Sequence, residues 1–245
     1  MQPANLFGRQ ESYSRVSKEI APGDGMLKND PEHYFTVGAS ASAAIHDAAR
    51  TARMEPKNIR RVLDYACGYG RVLRWLKADF PNAYLLGVDA DPKAAKAASE
   101  VLGVPTRPLD IQLTDRLDDP FDLIWVGSLF THLPKAEMKR VLTYLGAHLT
   151  KGGLLVFTTH GDLVANRLAS RSRDYGLVEE TIDPVLQDYQ TDGYGFASYP
   201  KLPGYGISVS KTSCVMALIE AAEMTPILYK DRGWAAHQDV FAARG

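Results

Sequence analysis

Asp64-x-Ala66-Cys67-Gly68-Tyr69-Gly70 puts a carboxylate and a run of small residues directly behind the apolar segment Arg61-Val62-Leu63. Small residues there let the backbone come close to a ligand, and a helix starting after them offers free N–H groups and a positive dipole end. Asp89 closes a second apolar segment, Tyr84-Leu85-Leu86-Gly87-Val88-Asp89, and Ala90 follows it. An acidic residue about 20 positions after a glycine-rich turn can accept hydrogen bonds from ribose hydroxyls. Together these residues predict a nucleoside-containing ligand. A dinucleotide fingerprint needs a third small residue where Arg71 stands, which argues against a nicotinamide or flavin dinucleotide. His132, in Ser128-Leu129-Phe130-Thr131-His132, and His160, in Thr158-Thr159-His160-Gly161, are candidate general bases, because imidazole titrates near neutral pH.

These residues act together only if the elements before them end at one edge. Strand-like and helix-like segments alternate through the middle of the chain, the pattern of a parallel sheet with crossover helices. Strands are predicted at 61–66, 84–89, 104–110, 121–127 and 154–159. Pro105 and Pro108 assign the third to a sheet edge. A helix from about Arg71 ends at Phe80-Pro81. Asp91 as N-cap and Pro92 open the next, and Gly103 closes it. Met138, Val141, Leu142, Leu145 and Leu149 mark a helix beginning near Pro134, and Val215, Leu218, Ile219 and Ala222 one beginning near Lys211. Strands at 226–230 and 238–243, linked through Asp231-Arg232-Gly233, must be antiparallel, since a parallel return needs a dozen or more residues. Residues 1–58 read as a helical extension or lid, with Ala39 to Met54 its best helix. The remainder, 59–245, reads as a ligand-binding domain. Within it, 161–210 is a Tyr/Gly-rich insertion in which no period of 2 or 3.6 fits residues 175–206, so irregular elements are expected.

The spacing Asp64-x-Ala66-x-Gly68-x-Gly70 resembles the first motif of class I S-adenosylmethionine-dependent methyltransferases, an acidic residue followed by GxGxG, with Ala66 in place of the first glycine. The resemblance runs from about Asn58 to Ala243. It implies a doubly wound, seven-stranded, mostly parallel α/β sheet with a C-terminal antiparallel hairpin, and S-adenosylmethionine as cofactor, leaving S-adenosylhomocysteine as product. It assigns the ribose to Asp89 and the adenine to Asp110 and Ile111, and it makes Asp64, Ala66, Cys67, Gly68, Gly70, Ala90, Ser128 and Leu129 cofactor-binding positions. In related enzymes a segment like Asp30 to Gly38 folds over the cofactor, which makes Tyr34 a further contact; Tyr34 and Phe35 also suit an anchor packing the extension on the core.

His132 and His160 follow strands four and five, where open α/β sheets place their ligands. Each also has a structural alternative, as a helix cap or as a partner of loop backbone. His33, His46, His148 and His237 lie elsewhere. The Tyr/Gly insertion suits a lid, a sugar-stacking surface, loop packing or a homodimer contact. Segments typical of amino-methylating DNA enzymes, metal-dependent catechol methylation and protein arginine methylation are missing, which leaves a small-molecule acceptor, a sugar or other polar metabolite among them.

Composition agrees. Lys plus Arg number 28 against 29 Asp plus Glu, so a formal charge of -1 supplies no field for a nucleic-acid backbone. Two cysteines, Cys67 and Cys214, make neither a disulfide framework nor a cysteine metal cluster, and no metal is expected. No run of 18 apolar residues predicts a membrane span, so the expected location is cytoplasmic. The competing functions are a cofactor-binding or partner-binding module that has lost transfer, and a nicotinamide-dependent oxidoreductase.

Overall fold

A computed structural model describes residues 13–114, 117 and 119–245. Helix α1 (Pro31–Thr51) is followed by strand β1 (Arg61–Tyr65), α2 (Leu73–Asp79), β2 (Tyr84–Asp89), α3 (Pro92–Leu102), β3 (Thr106–Pro108), β4 (Phe121–Val126), α4 (Lys135–Gly146) and β5 (Leu149–Thr159). Then come α5 (Asp162–Ala169), α6 (Glu179–Asp192), β6 (Tyr194–Tyr199), β7 (Leu202–Ser210), α7 (Thr212–Ala221), β8 (Thr225–Trp234) and β9 (Gln238–Arg244). Seven strands form one sheet in the order β3-β2-β1-β4-β5-β9-β8. The first five are parallel, whereas β9 runs antiparallel to β5 and β8 antiparallel to β9. The short, proline-bearing β3 lies at the edge.

Because a strand turns successive side chains to opposite faces, the sheet divides its apolar residues by parity. Val62, Leu123, Trp125, Leu154, Val156, Val240 and Ala242 face one layer, where α1 and α2 cover them with Val37, Ala41, Ile45, Leu73 and Leu76. Leu63, Ile124, Val126, Leu155, Phe157, Phe241 and Ala243 face the other, against Met138, Val141, Leu142 and Leu145 of α4 and Val215, Leu218 and Ile219 of α7. Both faces are buried, which is why these strands read as near-continuous apolar runs. No described helix is long and apolar enough to cross a membrane.

Three expectations are corrected. Helix α1 starts at Pro31, well before Ala39: Asp30 caps it, its carboxylate accepting from the His33 N–H at 2.9 Å, so Tyr34 and Phe35 lie in the first turns. Asp30-Pro31 is the same cap-and-proline signal as Asp91-Pro92, and it outweighs the poor helix formers at 36–38. The insertion is regular. It contains the 14-residue helix α6, with Pro184 inside it, and the antiparallel pair β6–β7, closed over a separate apolar cluster of Val164, Leu168, Ile182, Val185, Ile207 and Val209. Its glycines serve close approach: a Cβ on Gly195 would lie 2.0 Å from the Val185 carbonyl, and one on Gly206 1.8 Å from the Ala197 carbonyl. Finally, β8 runs through Asp231-Arg232-Gly233 with a register irregularity, and the reversal falls later. Ala235 and Ala236 both have φ +52°, and the His237 N–H donates to the Trp234 carbonyl at 3.0 Å, a type I′ turn made of two alanines.

Candidate functional site

The carboxyl ends of β1, β2 and β4 bring most of the predicted ligand-binding residues together. Asp89 organises the turn: its Oδ2 accepts from the Gly68 N–H at 2.7 Å and its Oδ1 from the Asp91 N–H at 2.9 Å. The N–H groups of Ala66 and Cys67 donate to the Val88 carbonyl at 2.8 and 3.0 Å, stitching the turn to β2. Ala66 has φ +68°, Gly68 +53° and Gly70 +85°. Ala66 thus holds the left-handed backbone that the first glycine of a GxGxG turn would take freely. Nothing lies within 4 Å of a Cβ built on Gly68, so the turn faces open space at that point.

Beneath the turn, Asp64 is only 1% exposed, and its Oδ2 is buried without a hydrogen-bond partner. Burial, reinforced by the neighbouring Asp89, pushes its carboxyl up to about 8. A ligand carrying an ammonium group would supply the missing partner and offset the cost of burying the charge. Cys67 contributes bulk: burial, with Asp64 and Asp89 nearby, pushes its thiol well above the usual range. Ala90 is exposed beside Asp89.

After β3, Asp110 spends its carboxylate on its own turn, accepting from the Gln112 N–H (2.9 Å) and from the N–H and hydroxyl of Thr114 (2.5 and 2.8 Å). Ile111 is 66% exposed, an apolar side chain open to a flat partner. Tyr34 is fully buried. Its hydroxyl donates to Asp24 at 2.7 Å and accepts from Arg74, whose Nε donates to the Gly70 carbonyl at 3.2 Å. The structure therefore places Tyr34 underneath the glycine turn, as an anchor of the N-terminal segment.

At the end of β4, Ser128 has φ +63°, a strained value for a residue with a side chain. A hydrogen-bond ring holds it there. The Ser128 N–H donates to Thr158 Oγ1 (2.8 Å), Thr158 Oγ1 to Gln238 Oε1 (2.6 Å), and Gln238 Nε2 to Ser128 Oγ (2.9 Å). Leu129 and His132 follow, both half-buried.

Strand β7 docks along this loop. Its Gly206, Ser208 and Ser210 N–H groups donate to the carbonyls of His132, Thr131 and His160 at 3.0, 2.9 and 2.8 Å. That brings the two predicted histidines together, their ring centroids 6.5 Å apart, and surrounds them with aromatic rings. His132 stacks on Tyr205 at 4.9 Å and lies 6.1 Å from Tyr199; His160 lies 5.7 Å from Tyr175. His132 Nδ1 is 2.6 Å from the Gly206 carbonyl and His160 Nδ1 3.3 Å from the Ser208 carbonyl. A carbonyl only accepts, so each proton sits on Nδ1 and each Nε2 is an acceptor. Burial lowers the affinity of both rings for a second proton. That of His160, 4% exposed with His237, His132 and Arg173 nearby, falls to about 3.

The sequence reading missed His237, whose ring centroid is 5.4 Å from that of His160. The signal was present: a strand antiparallel to β5 begins where β5 ends, so the β8–β9 turn must reach the same edge. His148, by contrast, is structural, bridging the Tyr144 carbonyl (2.7 Å) and the Leu117 N–H (3.2 Å). Although three histidines gather here, no group of three His, Cys, Asp or Glu side chains among the described residues is placed to hold a metal ion.

A parallel sheet of this order closed by an antiparallel pair, with a glycine turn and acidic partner at its carboxyl edge, is a Rossmann-like fold of the methyltransferase type. A methyltransferase-domain family model matches residues 62–153. The chain is 29% identical to the chloroplastic tocopherol O-methyltransferase of Arabidopsis thaliana over 169 residues, 65% of this chain and 47% of that protein. It is 29% identical to trans-aconitate 2-methyltransferase of Deinococcus radiodurans over 127 residues, 51% of this chain and 47% of that protein. The chain thus spans about half the length of the curated relatives it matches. Among solved structures, the sugar N-methyltransferase KedS8 of a Streptoalloteichus species superposes with a TM-score of 0.61 at 16% identity, covering 100% of this chain and 97% of that one. The fold is shared with it.

Proposed function

We propose that this protein transfers a methyl group from S-adenosylmethionine to a small-molecule acceptor. The observation that carries the proposal is the orphaned, buried Asp64 carboxylate beside a glycine turn tied to Asp89. Asp64 suits the amino group of the cofactor's amino-acid end, Asp89 its ribose hydroxyls, and Ile111 the flat face of its adenine. When bound, S-adenosylmethionine supplies a methyl group made electrophilic by its sulfonium.

The chain's own contribution is to position the acceptor and to keep water away. Ser128 and its hydrogen-bond ring fix the end of β4, and β7 closes over the His132 loop. His132 and His160 are neutral hydrogen-bond acceptors at Nε2. With its affinity for a proton so far reduced, His160 is a weak base, so it orients an acceptor hydroxyl or amine, and His132 is the better candidate for removing its proton. Orientation then supplies most of the acceleration.

Calorimetry tests the assignment. S-adenosylhomocysteine should bind the wild-type protein, and Asp89→Ala should weaken it roughly tenfold or more, since hydrogen bonds to a charged group are worth about 1.5–3 kcal/mol. NADH binding with no binding of S-adenosylhomocysteine would overturn the proposal in favour of the oxidoreductase.

A further inference from the structure

Arg167 and Arg173 stand at the outer wall of the histidine–tyrosine cluster, and neither pairs with a carboxylate among the described residues. Arg167 Nη1 lies 3.3 Å from the Tyr175 hydroxyl and 3.2 Å from His237 Nδ1, two neutral partners. The Arg173 guanidinium sits 4.8 Å over the Tyr175 ring. Their neighbour Arg171 behaves in the opposite way, bound by both Glu179 (2.6 Å) and Asp183 (2.7 Å) on the protein's outside.

Acids close to the cluster are already committed. Asp162 takes the Tyr189 hydroxyl, Asp174 accepts from the Gly176 N–H at 2.9 Å, and Asp239 accepts from the Arg232 N–H at 2.8 Å. The two arginines also help to keep the histidines uncharged: Arg167 and Arg173 lower the proton affinity of His237, and Arg173 that of His160. The two arginines thus present positive charge without an acidic partner among the described residues, beside aromatic faces and imidazole acceptors.

We propose that the acceptor is a ring-bearing carboxylic acid. Its carboxylate is held by Arg167 and Arg173, its ring lies among Tyr175, Tyr199 and Tyr205, and its hydroxyl or amine donates to His132 Nε2. Guanidinium groups match carboxylate geometry, and a cluster of aromatic side chains suits a ring over a flexible chain. The proposal rests on the methyl-transfer assignment and goes beyond it by fixing the acceptor's charge.

The test is calorimetry on the full chain saturated with S-adenosylhomocysteine, using matched probes: 4-hydroxybenzoate with 4-hydroxybenzamide, salicylate with salicylamide, and glucuronate with glucose. At least one acid should bind about tenfold or more tightly than its neutral partner. That preference should fall in Arg167→Gln and in Arg173→Gln, and persist in Arg167→Lys. Equal binding of acid and neutral partner, an undiminished preference in both glutamine variants, or binding of none of the six probes would overturn it. Arg173 is exposed, so its variant stays informative even where Arg167→Gln fails to fold. The separate titration with S-adenosylhomocysteine distinguishes the two failures. If it binds the wild-type protein and no acid is preferred, the acidic acceptor alone falls; if it does not bind, the methyltransferase assignment falls first.

Discussion

Asp64 and His160 are both buried and shifted in opposite senses, so their contributions to the pH dependence of the ligand-free protein oppose one another where they overlap. Asp64 moves from 3.8 to about 8 on folding, so between those values the folded chain holds a proton that the unfolded chain has released. Stability therefore falls as pH rises through that window. His160 moves from 6.5 to about 3, so there the unfolded chain binds the extra proton, and stability falls as pH drops from about 6.5. The two slopes cancel between about pH 4 and 6.5, so melting curves from pH 4 to 9 should be flat there and show an alkaline limb falling from about 6.5 to 8. Asp64→Asn should remove the alkaline limb, exceed the wild type in stability above pH 8 and uncover a rise from pH 4 to 6.5, while His160→Asn should extend the fall down to about pH 4. Slopes unchanged in either variant would show that the group titrates elsewhere. On the proposed placement of its ammonium against the Asp64 carboxylate, saturating S-adenosylhomocysteine should shrink the alkaline limb.

Among the elements, the β8–β9 hairpin concentrates strain where it delivers His237. Two consecutive alanines in left-handed backbone each cost about 1–2 kcal/mol, and the turn is held by the Ser40 hydroxyl, which accepts from the Ala235 N–H at 2.9 Å. Ala236→Gly removes part of that cost, and the gain should be about 1 kcal/mol, or roughly 2–4 °C in melting temperature for a domain of this size. A lower melting temperature would mean that the alanine methyl is packed rather than strained. This element also shows where sequence reading stopped. The pairing direction was legible from the short link, but the turn itself was not, because alanine carries no signal for positive φ. The insertion failed for a related reason: its helix contains Pro184, and its glycines mark close approach of β6 and β7 to backbone, which looks like irregularity along the chain.

Across the whole molecule, Arg74 fastens the described N-terminal segment to the edge that carries the glycine turn. It is 1% exposed and donates to the carbonyls of Ser17 (3.0 Å), Glu19 (2.6 Å) and Gly70 (3.2 Å) and to the Tyr34 hydroxyl (3.2 Å). Gly23, farther along that segment, lies near the Tyr69 hydroxyl, so the segment runs beside the glycine turn. Arg74→Met should cost on the order of 3 kcal/mol, since several charged hydrogen bonds go at once. Hydrogen exchange should then show protection lost at residues 13–24 while β4 and β5 stay protected. Unchanged protection at 13–24 would mean that packing of Val16 and Trp75 alone secures the segment. The sequence by itself determined the sheet and the glycine turn at its carboxyl edge, because those rest on local signals: the apolar runs, the small-residue turn, Asp89, and the proline-marked caps. Only the tertiary structure decided that His132, His160 and His237 meet, that burial keeps them neutral, and that Arg167 and Arg173 lack acidic partners among the described residues. Those facts depend on which strand edges pair and on what surrounds a side chain, and neither is written in the spacing of residues along the chain.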